Sequence, residues 1–313
     1  MERIELHRDV TVLPSRAEVG GWSIGSAFAK SELIEATRHD RYNQLLSHRS
    51  IGGVEPSGEE LDSAIWGGPL FAPHFGHFLM ESTSRLWASE YLARPEIPVV
   101  FVAGGGKSQF SPFVKAFLEL VGVTRSLRLV ESVSKVGLLY VPAQVFGLGP
   151  LVDCSVIFKE WVRNRVPTVP SHGENKLFVS RSRFSGQGKI ANEMELEERL
   201  SARGFEVFHP EQFSLAEQLA TYQRARTIVF SEGSSMHFPA FFLNQEHRVA
   251  CIQRRPQVIP VFRRQFRFFS DVKLQYVNAI REVFAKPPAD PATFDCVVDI
   301  DEVENQLAAA GFG

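Results

Sequence analysis

Cysteine is scarce: Cys154, Cys251 and Cys296 are the only three in 313 residues, with no CxxC and no paired spacing. That argues against a disulfide framework or a cysteine zinc site and suits a reducing compartment. No apolar run approaches the roughly eighteen residues needed to span a bilayer. The opening MERIELHRDVTVL alternates charged and apolar residues where a signal peptide would carry an apolar core. A soluble cytoplasmic protein is the expectation. Neither sign of charge dominates, and a formal net charge of -2 argues against a general nucleic-acid binder. Low-complexity tracts are missing as well, while hydrophobic residues make up 44% of the chain, enough for substantial cores. The length predicts two domains or one large one.

The first sixty residues are mixed. Short strand-like pieces, VTVL and RSIGGV, surround a helical-looking SAFAKSELIEATRHDRYNQLL. The loop WGGPLFAPHFG then leads into a strong helix candidate, HFLMESTSRLWASEYLA, with Phe78, Leu79, Leu86 and Trp87 near helical spacing. IPVVFVAGGGKSQFSPFVKAFLELVGV reads strand, glycine-rich turn, helix, and LRLVESVSKVGLLYVPAQVF gives two more strands. Around NRVPTVPSHGEN the composition shifts to Pro, Ser and Gly, a linker signal. It divides the chain into residues 1–168 and 169–313.

The second half alternates strand and helix more cleanly. NKLFVSRSR is a strand running into a basic loop. Asn192 with Glu195, and Ser214 with Glu217, have the spacing of helix capping boxes, and Gly204 marks a helix stop. FEVFHP and RTIVFSEGSS read as strands, and MHFPAFFL as a helix. The fold class expected is α/β, GT-B-like, with two Rossmann-like domains facing across a cleft.

The turn Gly233-Ser234-Ser235 sits where a strand end meets a helix start, a place where free amides and the helix dipole favour phosphate. Taken alone it reads first as an ordinary tight turn with serine caps. A second anion-binding element strengthens the functional reading: Arg181 and Arg183 follow a strand end, with Lys189 soon after. Arginine grips phosphate oxygens through two donors at once. Glu232 would repel a bare phosphate, but its oxygens suit ribose hydroxyls, so a nucleotide satisfies both neighbours. His237 is placed to help at the phosphate end, or to pack on a helix face.

In the first half, His77, Glu81 and Arg85 are spaced i, i+4, i+8 and so share one helical stripe. They suit a general base, its orienter and an anion clamp; a wet Glu81–Arg85 ion pair is the plainer reading. His74 and His77 suggest a two-histidine metal site, but no third ligand stands out. AGGGKSQF is not a P-loop, because the required first glycine position holds Phe101. Asp299 and Asp301 imitate a metal-binding DxD but read better as a helix-entry cap. The basic-aromatic segment 254–269, RRPQVIPVFRRQFRFF, concentrates Arg254, Arg255, Arg263, Arg264 and Arg267, and suits an anionic acceptor, a membrane surface or single-stranded nucleic acid, with a basic amphipathic edge the plainer reading.

Together, GHFLMESTSRLW and the stretch from LFVSRSRF through GKIANEMELEERLSARGFEVFHPEQFSLAEQ to RTIVFSEGSSMHFPAFF resemble glycosyltransferase family 61, which includes bacterial capsular-polysaccharide enzymes. The resemblance covers most of residues 66–92 and 176–243. Asn192-Glu193, Glu217-Gln218 and Gly233-Ser234 fall on the family's ordered motifs. Two positions depart: Glu232 stands where many members have His, and Lys189 where many have Arg.

The resemblance implies a GT-B arrangement and an inverting, single-displacement transfer from a nucleotide sugar to a saccharide or lipid-linked acceptor. It further suggests a role in bacterial surface polysaccharide synthesis. The donor-side candidates are Arg181, Arg183, Lys189, Glu232, Gly233, Ser234, Ser235 and His237. The catalytic candidates are His77 and Glu81, with His77 the first choice for base and Glu81 the second. Arg85 and His74 are the acceptor-side candidates. No cofactor and no metal are expected, the cations replacing one. A nucleotide-sugar hydrolase and an inactive nucleotide-binding scaffold are the competing classes. The segment 254–269 is the expected place of any peripheral membrane contact.

Overall fold

The apolar stretch from Ala64 to Leu70 forms the buried end of an eleven-residue strand, Glu60–Leu70, in the computed structural model of the protein. The structure describes residues 3–18, 21–47, 55–105, 109–149, 153–169, 175–185, 188–284 and 293–313. The strand-like RSIGGV, residues 106–108 of the glycine-rich turn and residues 170–174 of the linker lie outside them. The chain divides into two units, Met1–Val166 and Pro167–Gly313.

In the first unit a seven-stranded sheet runs in the order Leu127–Val130, Val99–Ala103, Glu60–Leu70, Ser134–Pro142, Ile4–Leu13, Ser26–Ala29, Glu32–Leu33. The first four strands are parallel, and each of the rest pairs antiparallel with its neighbour. Val10, Val12, Ala27, Trp66, Val100, Val102 and Leu139 share one core. The sheet is therefore mixed, where an all-parallel Rossmann-like sheet was expected.

The cause lies in the stretch that reads as a helix. SAFAKSELIEATRHDRYNQLL instead folds as two hairpins, Ser26–Ala29 with Glu32–Leu33 and His39–Arg41 with Gln44–Leu46. Lys30 and Ser31 (φ 48° and 68°) and Tyr42 and Asn43 (φ 54° and 61°) take the left-handed pairs of two-residue hairpin turns. Two-residue turns connect antiparallel strands only.

The strong helix candidate at 77–92 is also re-formed. A short α-helix, Phe75–His77, passes into a π-helical turn, Phe78–Ser82, and then a 3-10 stretch, Leu86–Glu90. The hydroxyls of STS compete with the helical ladder: Thr83 Oγ1 donates to the Leu79 carbonyl at 2.7 Å, and Ser82 Oγ accepts from the Phe71 amide at 2.9 Å. Phe78 still faces the core, edge-on to Phe113 and Phe117.

The second unit matches its expected parallel alternation. Five parallel strands lie in the order Phe205–Phe208, Lys176–Val179, Thr227–Ser231, Arg248–Ile252, Gln275–Val277. The helices Glu193–Ala202 and Ile300–Ala309 pack Leu196, Leu200, Val303 and Leu307 against Phe178, Val229 and Ile252. Ser214 and Glu217 form the full capping box of helix Leu215–Arg224. The box expected at Asn192 does not form, because that side chain bridges to both main-chain groups of Val298 at 2.9 and 3.1 Å. Gly204 follows the helix end at φ +84°, the left-handed stop its position predicts.

Candidate active site

In the parallel sheet the chain order reverses between Lys176–Val179 and Thr227–Ser231. In open α/β sheets that reversal is where ligands bind, outside the strands' carboxyl ends. Beyond the last paired residues, Val179 and Phe230, the two chains part. The Ser180 amide bonds to Phe208 O on one side, and the Glu232 amide to Ile252 O on the other. Arg181 and the turn 232–235 therefore lie side by side at that reversal.

Arg181 packs its guanidinium over Gly233, where even a methyl group would overlap it. It also stacks 4.8 Å from the ring of Phe184 and donates to Gly188 O at 3.3 Å. Burial lowers its pKa, with Glu193 and Glu232 opposing that. Its Nε is buried without a partner. Ser234 and Ser235 are half-buried, and Ser235 Oγ has no hydrogen-bond partner. Arg183 and Lys189 are exposed; Arg183 reaches Gln212 at 3.3 Å, and the Lys189 amide bonds to Asp295.

Two donor-side candidates have other engagements. Glu232 is buried, with Oε1 2.7 Å from Arg255 Nε and Oε2 accepting from the Arg254 amide at 3.1 Å. Its carboxylate is thus committed within the protein, where ribose hydroxyls were expected, because an arginine pair from the basic segment closes over it. His237 is buried, its Nδ1 2.7 Å from Gln265 Oε1 and its ring 4.9 Å from Phe262, which is the packing alternative for that residue.

The segment 254–269 divides accordingly. Arg254 is buried, donates to Glu232 O and Phe294 O, and is lowered to about 10 by burial and by the neighbouring Arg255 and Arg181. Arg263, Arg264 and Arg267 face solvent while Phe262, Phe266 and Phe269 are buried.

In the first unit, Glu81 is fully buried on the π-helical turn. Its Oε1 lies 2.7 Å from His77 Nδ1 and its Oε2 2.9 Å from His39 Nε2, with Arg41 Nε 3.4 Å away. Burial alone would raise this carboxyl, but the hydrogen bonds from His39 and His77 and the charges of His39 and Arg41 bring it down to about 2. An ionised carboxylate only accepts, so His77 Nδ1 and His39 Nε2 carry the protons. In the neutral imidazole, Nε2 is then the nitrogen that carries the lone pair, and the His77 side chain is 31% exposed. His39 is completely buried, which lowers its pKa despite Glu81. Phe71 contacts the set, its ring 5.7 Å from His39, 6.1 Å from His77 and 4.9 Å from the Arg41 guanidinium. Gly147, at φ +71°, lets its chain approach Met80 O, where a Cβ would sit 2.6 Å away.

Arg85 leaves the stripe on which its spacing puts it. The π-turn breaks the i, i+4, i+8 register, and the side chain is buried with no ion pair to Glu81. It donates to the carbonyls of Ala36 and Arg38 at 2.9 and 2.8 Å, and burial brings it down to about 9. An acceptor-side role by direct contact is therefore replaced by an anchor: Arg85 holds the chain entering His39–Arg41. Gln144 braces the same strand through the amide and carbonyl of Asp40. His74 is exposed beside His77, ring centroids 5.8 Å apart, its pKa lowered by partial burial and by His77 and Arg41.

No group of three or more His, Cys, Asp or Glu among the described residues is arranged to hold a metal ion. Asp299 caps the helix Ile300–Ala309, accepting from the Glu302 amide at 3.1 Å, as its helix-entry reading predicts. Sequence reasoning missed His39 and Arg41, whose only local signal was the Tyr-Asn turn that follows them. It also left Glu193 as a motif position without a role.

The family model described as glycosyltransferase 61 matches residues 75–251, more than half of the chain. The chain belongs to glycosyltransferase family 61. The matched stretch contains His77, Glu81, Arg181 and the Glu232–Ser235 turn, while His39, Arg41, Arg254 and Arg255 lie outside it. No individual curated protein matches the chain significantly.

Proposed function

We propose that this family 61 member is an inverting glycosyltransferase that moves a sugar from a nucleoside-diphosphate sugar to a saccharide or glycoconjugate hydroxyl, in surface polysaccharide synthesis. The single observation that carries the reading is the pairing of an ionised, buried Glu81 with His77. It leaves one imidazole nitrogen ready to accept a proton. A carboxylate held at about 2 is a poor proton acceptor near neutrality, so Glu81 orients and His77 acts as base.

In the displacement, the acceptor hydroxyl oxygen bonds to the anomeric carbon and its proton passes to His77 Nε2. The bond from that carbon to the diphosphate oxygen breaks, and the nucleoside diphosphate leaves with the electron pair. Glu81 stabilises the imidazolium that forms. Arg181, Arg183, Lys189 and the amides of Gly233–Ser235 meet the leaving charge, which supports transfer without a metal. This is the division of labour of a GT-B enzyme, with acceptor chemistry on the first unit and donor binding on the second. No helix among the described residues is long and apolar enough to cross a membrane. The exposed Arg263, Arg264 and Arg267 are the candidates for contact with an anionic surface carrying a lipid-linked acceptor.

A thermal-shift panel of UDP, GDP and CDP, with and without chelator, tests the donor half. A chelator-insensitive rise with one base is expected, and no shift with any of them would remove the reading. His77→Ala should abolish transfer while leaving nucleotide binding nearly intact; lost binding would sink the base assignment.

A further inference from the structure

At the chain reversal of the parallel sheet, backbone pairing between the two central strands stops, and a side chain takes over. Glu193 opens the helix Glu193–Ala202 and is buried. Its Oε1 accepts from the Arg181 amide at 2.8 Å and from Ser231 Oγ, and lies 3.1 Å from Ser180 Oγ, whose single proton it shares with Glu197. Ser180 and Arg181 follow one strand, and Ser231 ends the other. Their own amide bonds pull outward, Ser180 to Phe208 and Glu232 to Ile252. One carboxylate oxygen thus bridges two chain ends that the ladder no longer holds together.

Directly beyond that bridge, the Arg181 guanidinium rests on Gly233. Glu197 supports it: it accepts from Ser180 Oγ at 2.6 Å and from Ser182 Oγ, and lies 3.7 Å from His209 Nε2. The other Glu193 oxygen, Oε2, is buried with no hydrogen-bond partner. A buried carboxylate with an empty oxygen weakens the fold unless its position serves something else.

We propose that Glu193 is a positioning residue of the donor site, pinning the Arg181 and Glu232–Gly233 strand ends so that guanidinium and turn amides grip one diphosphate. The inference rests on the donor reading above. Glu193 itself touches no ligand; it acts through Arg181 and Ser231.

The test is isothermal titration of UDP, GDP, CDP and inorganic pyrophosphate into the wild-type protein, Glu193→Gln and Glu193→Ala, with melting temperatures alongside. A glutamine oxygen accepts from the same groups, so Glu193→Gln should bind within about twofold of wild type, whereas Glu193→Ala should bind about tenfold or more weakly. The double variant Ser180→Ala/Ser231→Ala keeps the carboxylate but removes both hydroxyls that face it. It should weaken binding in the same direction, which keeps the test open if Glu193→Ala does not fold. Glu193→Ala or the double variant binding as tightly as wild type overturns the proposal, and so does Glu193→Gln losing as much as Glu193→Ala. If the wild type binds none of the probes, the donor reading itself has failed, and the inference falls with it.

Discussion

Glu81 and Glu193 are both buried glutamates, one in each unit, and their surroundings drive them in opposite directions. Glu81 has an imidazole on each oxygen and a guanidinium close by, and is held at about 2. Glu193 is raised, because burial outweighs hydrogen bonds from Ser231, the Arg181 amide and Ser180. Burial by itself therefore does not fix a carboxylate's chemistry. Partners that carry or can acquire positive charge make Glu81 a permanent anion suited to stabilising an imidazolium. Glu193 is hydrogen-bonded only by neutral hydroxyl and amide donors, and these with the nearby Arg181 charge do not offset its burial, which makes it a brace whose charge the fold does not need.

The largest expected effect breaks the first half of this pairing. Glu81→Ala leaves His39 and Arg41 facing an unpaired hole and should lower stability by about 3–5 kcal/mol in urea unfolding, with transfer abolished. Glu193→Gln, by contrast, should be neutral or stabilising at neutral pH. If the two substitutions destabilise alike, the distinction between charged and neutral partners is wrong.

Next comes Arg85, which holds the His39 strand by its carbonyls. Arg85→Met should lower stability by about 2–3 kcal/mol, since two half-buried carbonyls lose charged donors. Arg85→Lys should rescue it poorly, because one ammonium cannot reproduce the fork. Nucleotide affinity measured by titration should stay unchanged in both, keeping the effect to the Glu81 side.

Smaller, and opposite in sign between the two glutamates, is the dependence on pH. Glu81 has a depressed folded pKa, so its stabilisation is present above the ordinary value of 4.5 and is lost as pH falls toward about 2. Glu193 has a raised folded pKa, so its contribution is present below the ordinary value and is lost as pH rises through the folded one. Melting curves of Glu193→Gln against wild type should therefore diverge in the variant's favour as pH rises above about 4.5. Parallel curves would contradict the raised carboxyl. The smallest effect is expected at Arg183, which is exposed: Arg183→Ala should change stability by less than about 0.5 kcal/mol while weakening nucleotide binding a few-fold.

What the sequence revealed of these two sites follows the reach of each interaction. The His77–Glu81 pair is separated by four residues and was legible from spacing alone. Its third member, His39, lies 42 residues away. It was hidden further because the residues around it combine helical spacing with a turn that only left-handed Tyr42 and Asn43 reveal. The π-turn that redirects Arg85 depends on hydroxyls whose partners lie on neighbouring turns and on Phe71, a competition that periodicity does not register. In the second unit the strand–helix alternation, the Gly204 stop and the Ser214 box are local and came through. Asn192 and Glu193 escaped because their partners, Val298 and Ser231, are brought to them only by the folded sheet.

Isothermal titration of the preferred nucleoside diphosphate into wild type and Glu81→Gln separates the two sites most directly. Equal affinity within about twofold is expected, because Glu81 serves the acceptor's proton and the donor is held by the second unit. Loss of nucleotide binding in Glu81→Gln, or no binding to wild type, would contradict that division.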